Sequence, residues 1–316
     1  MKMLVMLFVA AAALAQNRLP EVVNGRFETR AFSGDLALQI RGGGPTWFGY
    51  GVKTARGDHS FNCDTHANSP VLLEGPWLVA VLFRVSNNAV EKVKLHSIEC
   101  QLDAGGLPFV WITDVPATAS LYYLEKQAAA FDGAVTAIAQ HQDQLADAAL
   151  ERLARPPHDD KLRERAIFWL GASRGARGVT SLRDLLANDP SEKIRDKAVF
   201  ALSVSKQPEA LEYLIHAAKS DASPQVRAQA LFWLAQKAGK QAASAITDSI
   251  ANDPDASVKK RAVFALSQLP KDEGIPKLIE VATTQKNGEV RKQAIFWLGQ
   301  SGDPRALTYI QQLLEH

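Results

Sequence analysis

The chain has 316 residues, 47% of them hydrophobic, with 36 basic residues against 34 acidic ones and a formal charge of +2. That balance supplies no basic stripe of the kind nucleic acid requires, and it suits a neutral, charge-dense surface for a protein partner. The length is enough for two domains.

Met1 and Lys2 precede a short apolar run, and Ala13 and Ala15 place small residues where a signal peptidase reads. Residues 1–15 therefore read as a signal peptide, and the expected product begins at Gln16 and is periplasmic or secreted. The run falls short of the roughly 20 residues that span a bilayer. No later run is long enough, so the mature chain is not expected to cross a membrane.

Residues 16–116 carry most of the glycines and alternating β-branched segments. Strands are expected over Asp35–Arg41, Thr46–Lys53, Trp77–Val85, Val90–Gln101 and Pro108–Val115, separated by glycine-rich turns. This reads as a small β-rich domain, a sandwich or an open barrel. Its Cys63 and Cys100 are the only cysteines. In an exported chain they read first as one disulfide, closing a loop of roughly 37 residues and contributing about 3–4 kcal/mol. His59, Cys63, Asp64, His66, His96 and Cys100 also supply enough donors for zinc. Their spacing lacks the close Cys-x-x-Cys pairs usual on β loops, and oxidation competes, so no metal or cofactor is expected. Trp47, Phe48, Tyr50 and Trp77 raise an alternative function, binding of glycan or peptidoglycan by aromatic stacking.

Pro116 opens alanine-rich helical text. Residues 117–158 read as capping and linking helices. From 159 to 316 the text repeats every 32 residues: Phe168, Phe200, Phe232, Phe264 and Phe296 hold the same place in five units. Each unit pairs a motif helix with a second helix, marked by Leu182, Leu214, Ile246, Leu278 and Ile310 and by the small residues Gly178, Ala210, Ala242, Gly274 and Ala306. Asp189-Pro190, Ser223-Pro224 and Asp253-Pro254 read as N-caps followed by proline at the first helical position. The fold class is thus α+β in two domains, a small N-terminal β-rich domain followed by an all-α helical solenoid, whose units bury their apolar faces against one another.

Units of the form Asp-Pro-x-x-x-Val-Arg-x-x-Ala-x-x-x-Leu-Gly resemble HEAT-like repeats of the short, phycobilisome-lyase type, with Arg163, Arg195, Arg227, Lys259 and Arg291 in the basic position. Trp47-Phe48-Gly49-Tyr50 and Leu102–Pro108 give the first half a fainter resemblance to exported bacterial HEAT-repeat proteins. The resemblance implies a solenoid whose Val-Arg helices line a groove. It leaves the role open among adaptors, lyase subunits and other bacterial proteins.

Projected at about 100° per residue, the phenylalanines fall away from the face marked by Leu162, Ala166, Trp169 and Leu170. Two placements satisfy that geometry: a ladder along the groove edge, or sideways packing on the next unit. Trp169, Ala201, Trp233, Ala265 and Trp297 alternate large and small as core filling does. The basic series reads as an internal ladder with Asp189, Asp221 and Asp253 rather than a phosphate track. Glu164, Asp196, Ala228, Lys260 and Lys292 face the groove and run from acidic to basic. The candidate binding residues are Phe168, Phe200, Phe232, Phe264, Phe296, Glu164, Asp196, Lys260 and Lys292. No phosphate loop, nucleophile elbow or His-Glu-x-x-His helix is present, and no catalytic residue is assigned. The expected function is a non-enzymatic scaffold of the bacterial envelope; a lyase-like enzyme subunit is a further alternative.

Overall fold

The computed structural model describes residues 18–54 and 78–315. The expected signal peptide and His59, Cys63, Asp64, His66 and Trp77 lie outside them. The chain divides into two compact units between Trp169 and Leu170.

The first unit contains β1 (Val22–Val23), β2 (Phe27–Ala31), α1 (Leu36–Gln39), β3 (Thr46–Lys53), β4 (Leu78–Ser86), β5 (Ala89–Ser97), β6 (Leu102–Asp103) and β7 (Phe109–Thr113). Then follow α2 (Ala117–Gln127), α3 (Asp132–Gln140), α4 (Leu145–Leu153) and the first turns of α5 (Asp160–Ser173). Five strands form one mixed sheet in the order β2-β7-β3-β4-β5, and β1 pairs with β6 in a short ribbon. Among the described residues the strand-rich region is therefore this sheet and ribbon, not the sandwich or barrel expected. β7 lies parallel to both β2 and β3. β4 pairs antiparallel with β3 and β5 and is apolar along nearly its whole length, as a central strand must be. Asn87 and Asn88, both at positive φ, close the β4–β5 hairpin.

The expected strand Asp35–Arg41 is instead the one-turn helix α1. The Asp35 carboxylate accepts the Ala37 N–H at 2.7 Å, and this cap outweighs the alternating pattern.

Both sheet faces are covered. Phe48, Tyr50, Val81 and Phe83 are buried on one, where Tyr123 of α2 meets Phe83 edge-on at 5.3 Å. On the other, Leu78, Ala80, Leu82 and Trp111 pack with Ile98, Cys100 and Leu102. The Trp111 indole lies across β3, where a Cβ on Gly49 would come within 3.1 Å of the ring and 2.8 Å of Leu82. Glycine is required there by close approach. α2 is pinned by a buried polar chain: Ser120 Oγ donates to the Tyr50 hydroxyl (2.8 Å) and lies 2.9 Å from His141 Nε2. Burial pushes the Tyr50 hydroxyl far above its ordinary range. The start of α5 is tied to the same unit, Arg163 Nε donating to Ala154 O at 3.0 Å and Arg165 pairing with Asp132.

The second unit continues from α5 through α6 (Gly175–Asn188), α7 (Glu192–Val204), α8 (Ala210–Ser220), α9 (Pro224–Ala238), α10 (Ala243–Asn252), α11 (Ala256–Ser267), α12 (Lys271–Thr284), α13 (Gly288–Gln300) and α14 (Pro304–Leu314). α7, α9, α11 and α13 are motif helices packed side by side, and α6, α8, α10 and α12 each pack on the motif helix that follows. The core is the repeated apolar set: Ile194, Val226, Val258 and Val290, then Ala198, Ala230, Ala262 and Ala294, then Leu202, Leu234, Leu266 and Leu298, all buried. The small series on the second helices is buried too, and a Cβ on Gly178 would lie 1.9 Å from Leu170 O.

Helix starts differ from expectation in two units. Ser223 caps α9 as expected, but α7 and α11 begin two residues later than expected, capped by Ser191 and Asp255 instead of Asp189 and Asp253. With Asn287 on α13 and the Asp159 carboxylate accepting the Leu162 N–H, the caps form their own 32-residue series. Among the described residues no helix is long and apolar enough to cross a membrane.

Candidate functional site

The basic series turns inward. Arg195 grips the Asp221 carboxylate with two hydrogen bonds (2.9 and 3.0 Å), and Arg227 grips Asp253 in the same way (2.8 and 3.0 Å). Each guanidinium also donates to a main-chain oxygen just before its own helix, Asp189 O and Asp221 O respectively. Asp189, Asp221 and Asp253 accept the N–H of the cap residue two places on, at 2.8–3.0 Å. Each aspartate therefore closes the turn before its own motif helix, and Asp221 and Asp253 also anchor the previous motif helix. Lys259, whose counterpart to Asp253 one unit on is the neutral Gln285, donates to Ala251 O, and Arg291 donates to Gln285 O. Arg195 and Arg227 are thus paired with acids within the fold, whereas Lys259 and Arg291 donate to main-chain carbonyls.

The phenylalanines project from the opposite flank of the motif helices. Phe168, Phe200, Phe232 and Phe264 are half-buried, and Phe296 is 53% exposed. In the second unit their rings join a continuous aromatic ladder. Phe200 meets Trp233 at 5.0 Å, Trp233 meets Phe232 at 4.9 Å, Phe232 stacks on Phe264 at 6.1 Å, Phe264 meets Trp297 at 5.0 Å and Trp297 meets Phe296 at 5.1 Å. In the first unit Phe168 and Trp169 meet edge-on at 5.2 Å. Each ring thus packs against neighbouring rings and stays partly exposed.

The tryptophans depart from the expected core role. Trp233 and Trp297 are half-buried between successive phenylalanines, whereas Ala201 and Ala265 are fully buried. Where alanine stands at 265, the Arg261 guanidinium lies 5.2 Å from Phe232 and 5.0 Å from Phe264, so a cation over two ring faces continues the ladder. The Trp233 and Trp297 Nε1 atoms are buried without a hydrogen-bond partner. Trp233, Trp297 and Arg261 are the ladder members that sequence reasoning missed. Their signal is position, one residue after Phe232 and Phe296 or three before Phe264.

The polar candidates each stand four residues before a phenylalanine of their own helix. Glu164, Asp196 and Lys260 are half-buried and Lys292 is exposed. The expected acidic-to-basic gradient is blunted, because Glu289 lies 3.7 Å from Lys260 and 3.1 Å from Lys292. The Lys292 hydrogen bond and both ammonium charges hold the Glu289 carboxyl below its ordinary range. Away from the ladder a cavity of about 610 Å³ lies between α6 and α8. Its Arg195 and Asp221 bind each other, and its Arg183 binds Asp184 at 2.7 Å.

In the strand-rich region Phe48 and Tyr50 are buried, so they offer no face to a sugar, and Trp47 packs against the core cluster. Burial thereby removes two of the four proposed glycan-binding residues; Trp47 is half-buried and Trp77 lies outside the described residues. Cys100 is buried in that cluster. Among the described residues no group of His, Cys, Asp and Glu is placed to hold a metal.

Stacked two-helix units with a shared core and a repeated cap define a helical-repeat solenoid. HEAT repeats match residues 146–235, 211–287 and 243–316, together more than half of the chain. The chain belongs to the HEAT-repeat family. Among solved structures it is similar to the complex of CpcE and CpcF of phycocyanin lyase from Nostoc sp. PCC7120, at 23% identity over 49% of this chain and 99% of that one, with a TM-score of 0.37. YibA of Escherichia coli is 25% identical over 59% of this chain and 65% of that one, with a TM-score of 0.36. Human deoxyhypusine hydroxylase in complex with glycerol is 17% identical over 62% and 91%, with a TM-score of 0.28. At these scores the likeness carries no argument about function. No curated protein matches the chain in sequence.

Proposed function

We propose that this chain is a non-enzymatic protein-binding scaffold, exported to the bacterial envelope, that holds a partner against the aromatic face of its motif helices. The observation that carries this reading is the continuous ladder from Phe200 to Phe296, with rings fixed by their neighbours and edges in solvent. Preordered aromatic rows lose little freedom on binding, and aromatic residues dominate interface energetics. The charges of Asp196, Lys260 and Lys292, one turn before ladder phenylalanines, supply register. The strand-rich region is stapled, on this reading, by a Cys63–Cys100 disulfide, which predicts one fewer alkylatable pair before reduction than after it.

A photo-crosslinking residue at Gln236 or Gln300 on the motif face, and at Thr180 or Thr283 on the second helices, tests the proposal in cells. One partner captured from the motif face alone supports it. Adducts from the second helices only, or none from either face, overturn it. N-terminal sequencing of the fractionated protein tests export, with Gln16 as the expected first residue.

A further inference from the structure

Lys237, in the last turn of α9, sends its ammonium to the main-chain oxygens of Ser203 (3.0 Å) and Ser205 (2.5 Å), where α7 ends. Carbonyls at a helix C-terminus carry partial negative charge and lack intrahelical donors, so a cation there satisfies both needs. Burial lowers the Lys237 pKa, as a partly desolvated ammonium requires.

Two units further along, the hydrogen bond that closes this helix end recurs, although α12 starts at Lys271, three residues earlier in the repeat than α8. Leu269 N donates to Leu266 O at 3.2 Å as Ser205 N donates to Leu202 O at 3.3 Å. Ser301 stands where Lys237 does, and its hydroxyl turns back to Leu298 O at 2.6 Å. The lysine's place is taken by a cavity of about 250 Å³, walled by Ser267, Leu269, Leu278, Trp297 and Ser301. Gly274, where the earlier unit has Ala210, widens it. Among the described residues no hydrogen bond reaches the main-chain oxygens of Ser267 or Leu269, the counterparts of the two that bind Lys237. With liquid water at roughly 30 Å³ per molecule, the space admits an aminoalkyl group.

We propose that this cavity is a binding socket for a primary ammonium group, the chemistry that Lys237 supplies internally two units earlier. The geometry is that of an internal lysine site whose lysine has become serine: a helix C-terminus, two carbonyl acceptors and an aromatic wall. Trp297 belongs both to this wall and to the aromatic ladder. On the scaffold reading, the amine is therefore the side chain of a lysine in the bound polypeptide. Lys271 is the one ionisable residue lining the cavity, and it stands exposed at the rim as a like charge that weakens binding.

The test is a titration of the full chain followed at the Trp297 indole N–H by NMR, assigned through Trp297→Phe. The probes are N-acetyl-lysine methylamide, n-butylammonium and uncharged n-butanol. Both amines are expected to shift the resonance saturably and butanol is not. Ser301→Lys should weaken the amines at least about tenfold, and Lys271→Ala should strengthen them. Lys237→Ser should open a second saturable site at Trp233, a gain that loss of folding cannot mimic. Tighter binding of the lysine derivative assigns the socket to a polypeptide lysine, and tighter binding of butylammonium assigns it to a free amine. Equal shifts from butanol, no shift from either amine, or an unchanged titration in Ser301→Lys would overturn the proposal. These probes read the socket without any protein partner, so its failure is separable from that of the crosslinking experiment.

Discussion

Replacing Asp253 with alanine should be among the most damaging single changes in the array, although the residue touches no apolar core. The Asp253 and Arg227 side chains are only 4% and 9% exposed. The carboxylate accepts from Arg227 Nε (2.8 Å), Arg227 Nη2 (3.0 Å) and the Asp255 N–H (2.8 Å). Its loss leaves a buried guanidinium with main-chain acceptors at Asp221 O (2.9 Å) and Ala222 O (3.5 Å). Removing one partner of a buried pair costs about 3–5 kcal/mol, largely through the charge left behind. The net worth of the pair is smaller, so Arg227→Met with Asp253→Leu should recover about 2–3 kcal/mol relative to the sum of the single changes. Urea unfolding followed by circular dichroism measures this cycle without adding salt. Raising NaCl to 1 M should leave the coupling nearly intact, because screening acts weakly on buried pairs. It should abolish any coupling between Lys219 and Asp248, each more than 40% exposed. A cost for Asp253→Ala under about 1 kcal/mol, or a cycle with no coupling, would refute the claim that this ladder joins neighbouring units.

Gly49→Ala should cost about 1–3 kcal/mol, since its Cβ would press on Leu82 and the Trp111 ring; the same change at Gly43, where nothing lies within 4 Å, should be nearly silent. Asp303 is held at a pKa of about 2 against an ordinary 3.8, chiefly by its hydrogen bonds to Arg305. A depressed carboxylate stabilises above its unfolded pKa and loses that contribution as pH falls from 3.8 toward 2, so Asp303→Asn should flatten the stability profile in this window. Trp233→Ala should cost less than the roughly 3–5 kcal/mol of a fully buried indole, because Trp233 is half-buried, and thermal melts of this variant beside Leu234→Ala would show the ordering.

The solenoid was legible because its period is enforced by packing: each buried Leu, Ala and Val recurs where the next helix needs it. The helix starts were misplaced because Asp-Pro is ambiguous. An aspartate two residues before a cap closes a turn with the same side-chain oxygen that a true cap would use, and only the partner N–H tells them apart. Ser191 and Asp255 carried the right signal at the same 32-residue step as Asn287. The sheet was less legible. Strands β3, β4 and β7 could be located from alternation, but the placing of β7 between β2 and β3 is a pairing across many residues that no local pattern encodes. The candidate site was half legible: periodicity located the phenylalanines, but not that Trp233 and Trp297 would lie between them.

That last gap has a physical origin that bears on function. A helical projection treats positions 233 and 265 as equivalent, and with a uniform repeat they would be. The array instead alternates, with an indole bridging one pair of phenylalanines and direct stacking beside Arg261 joining the next. Lys237 and Ser301 stand two units apart and differ, so the aromatic positions follow a two-unit period that this pair breaks. The double period extends from the rim, at Trp233 and Trp297, into the core, where Val199 and Val263 alternate with Leu231, and at the rim Trp297 joins the ladder to the ammonium socket. A single partner segment lying along α7 to α13 would therefore meet aromatic edges throughout but an amine socket at one end only.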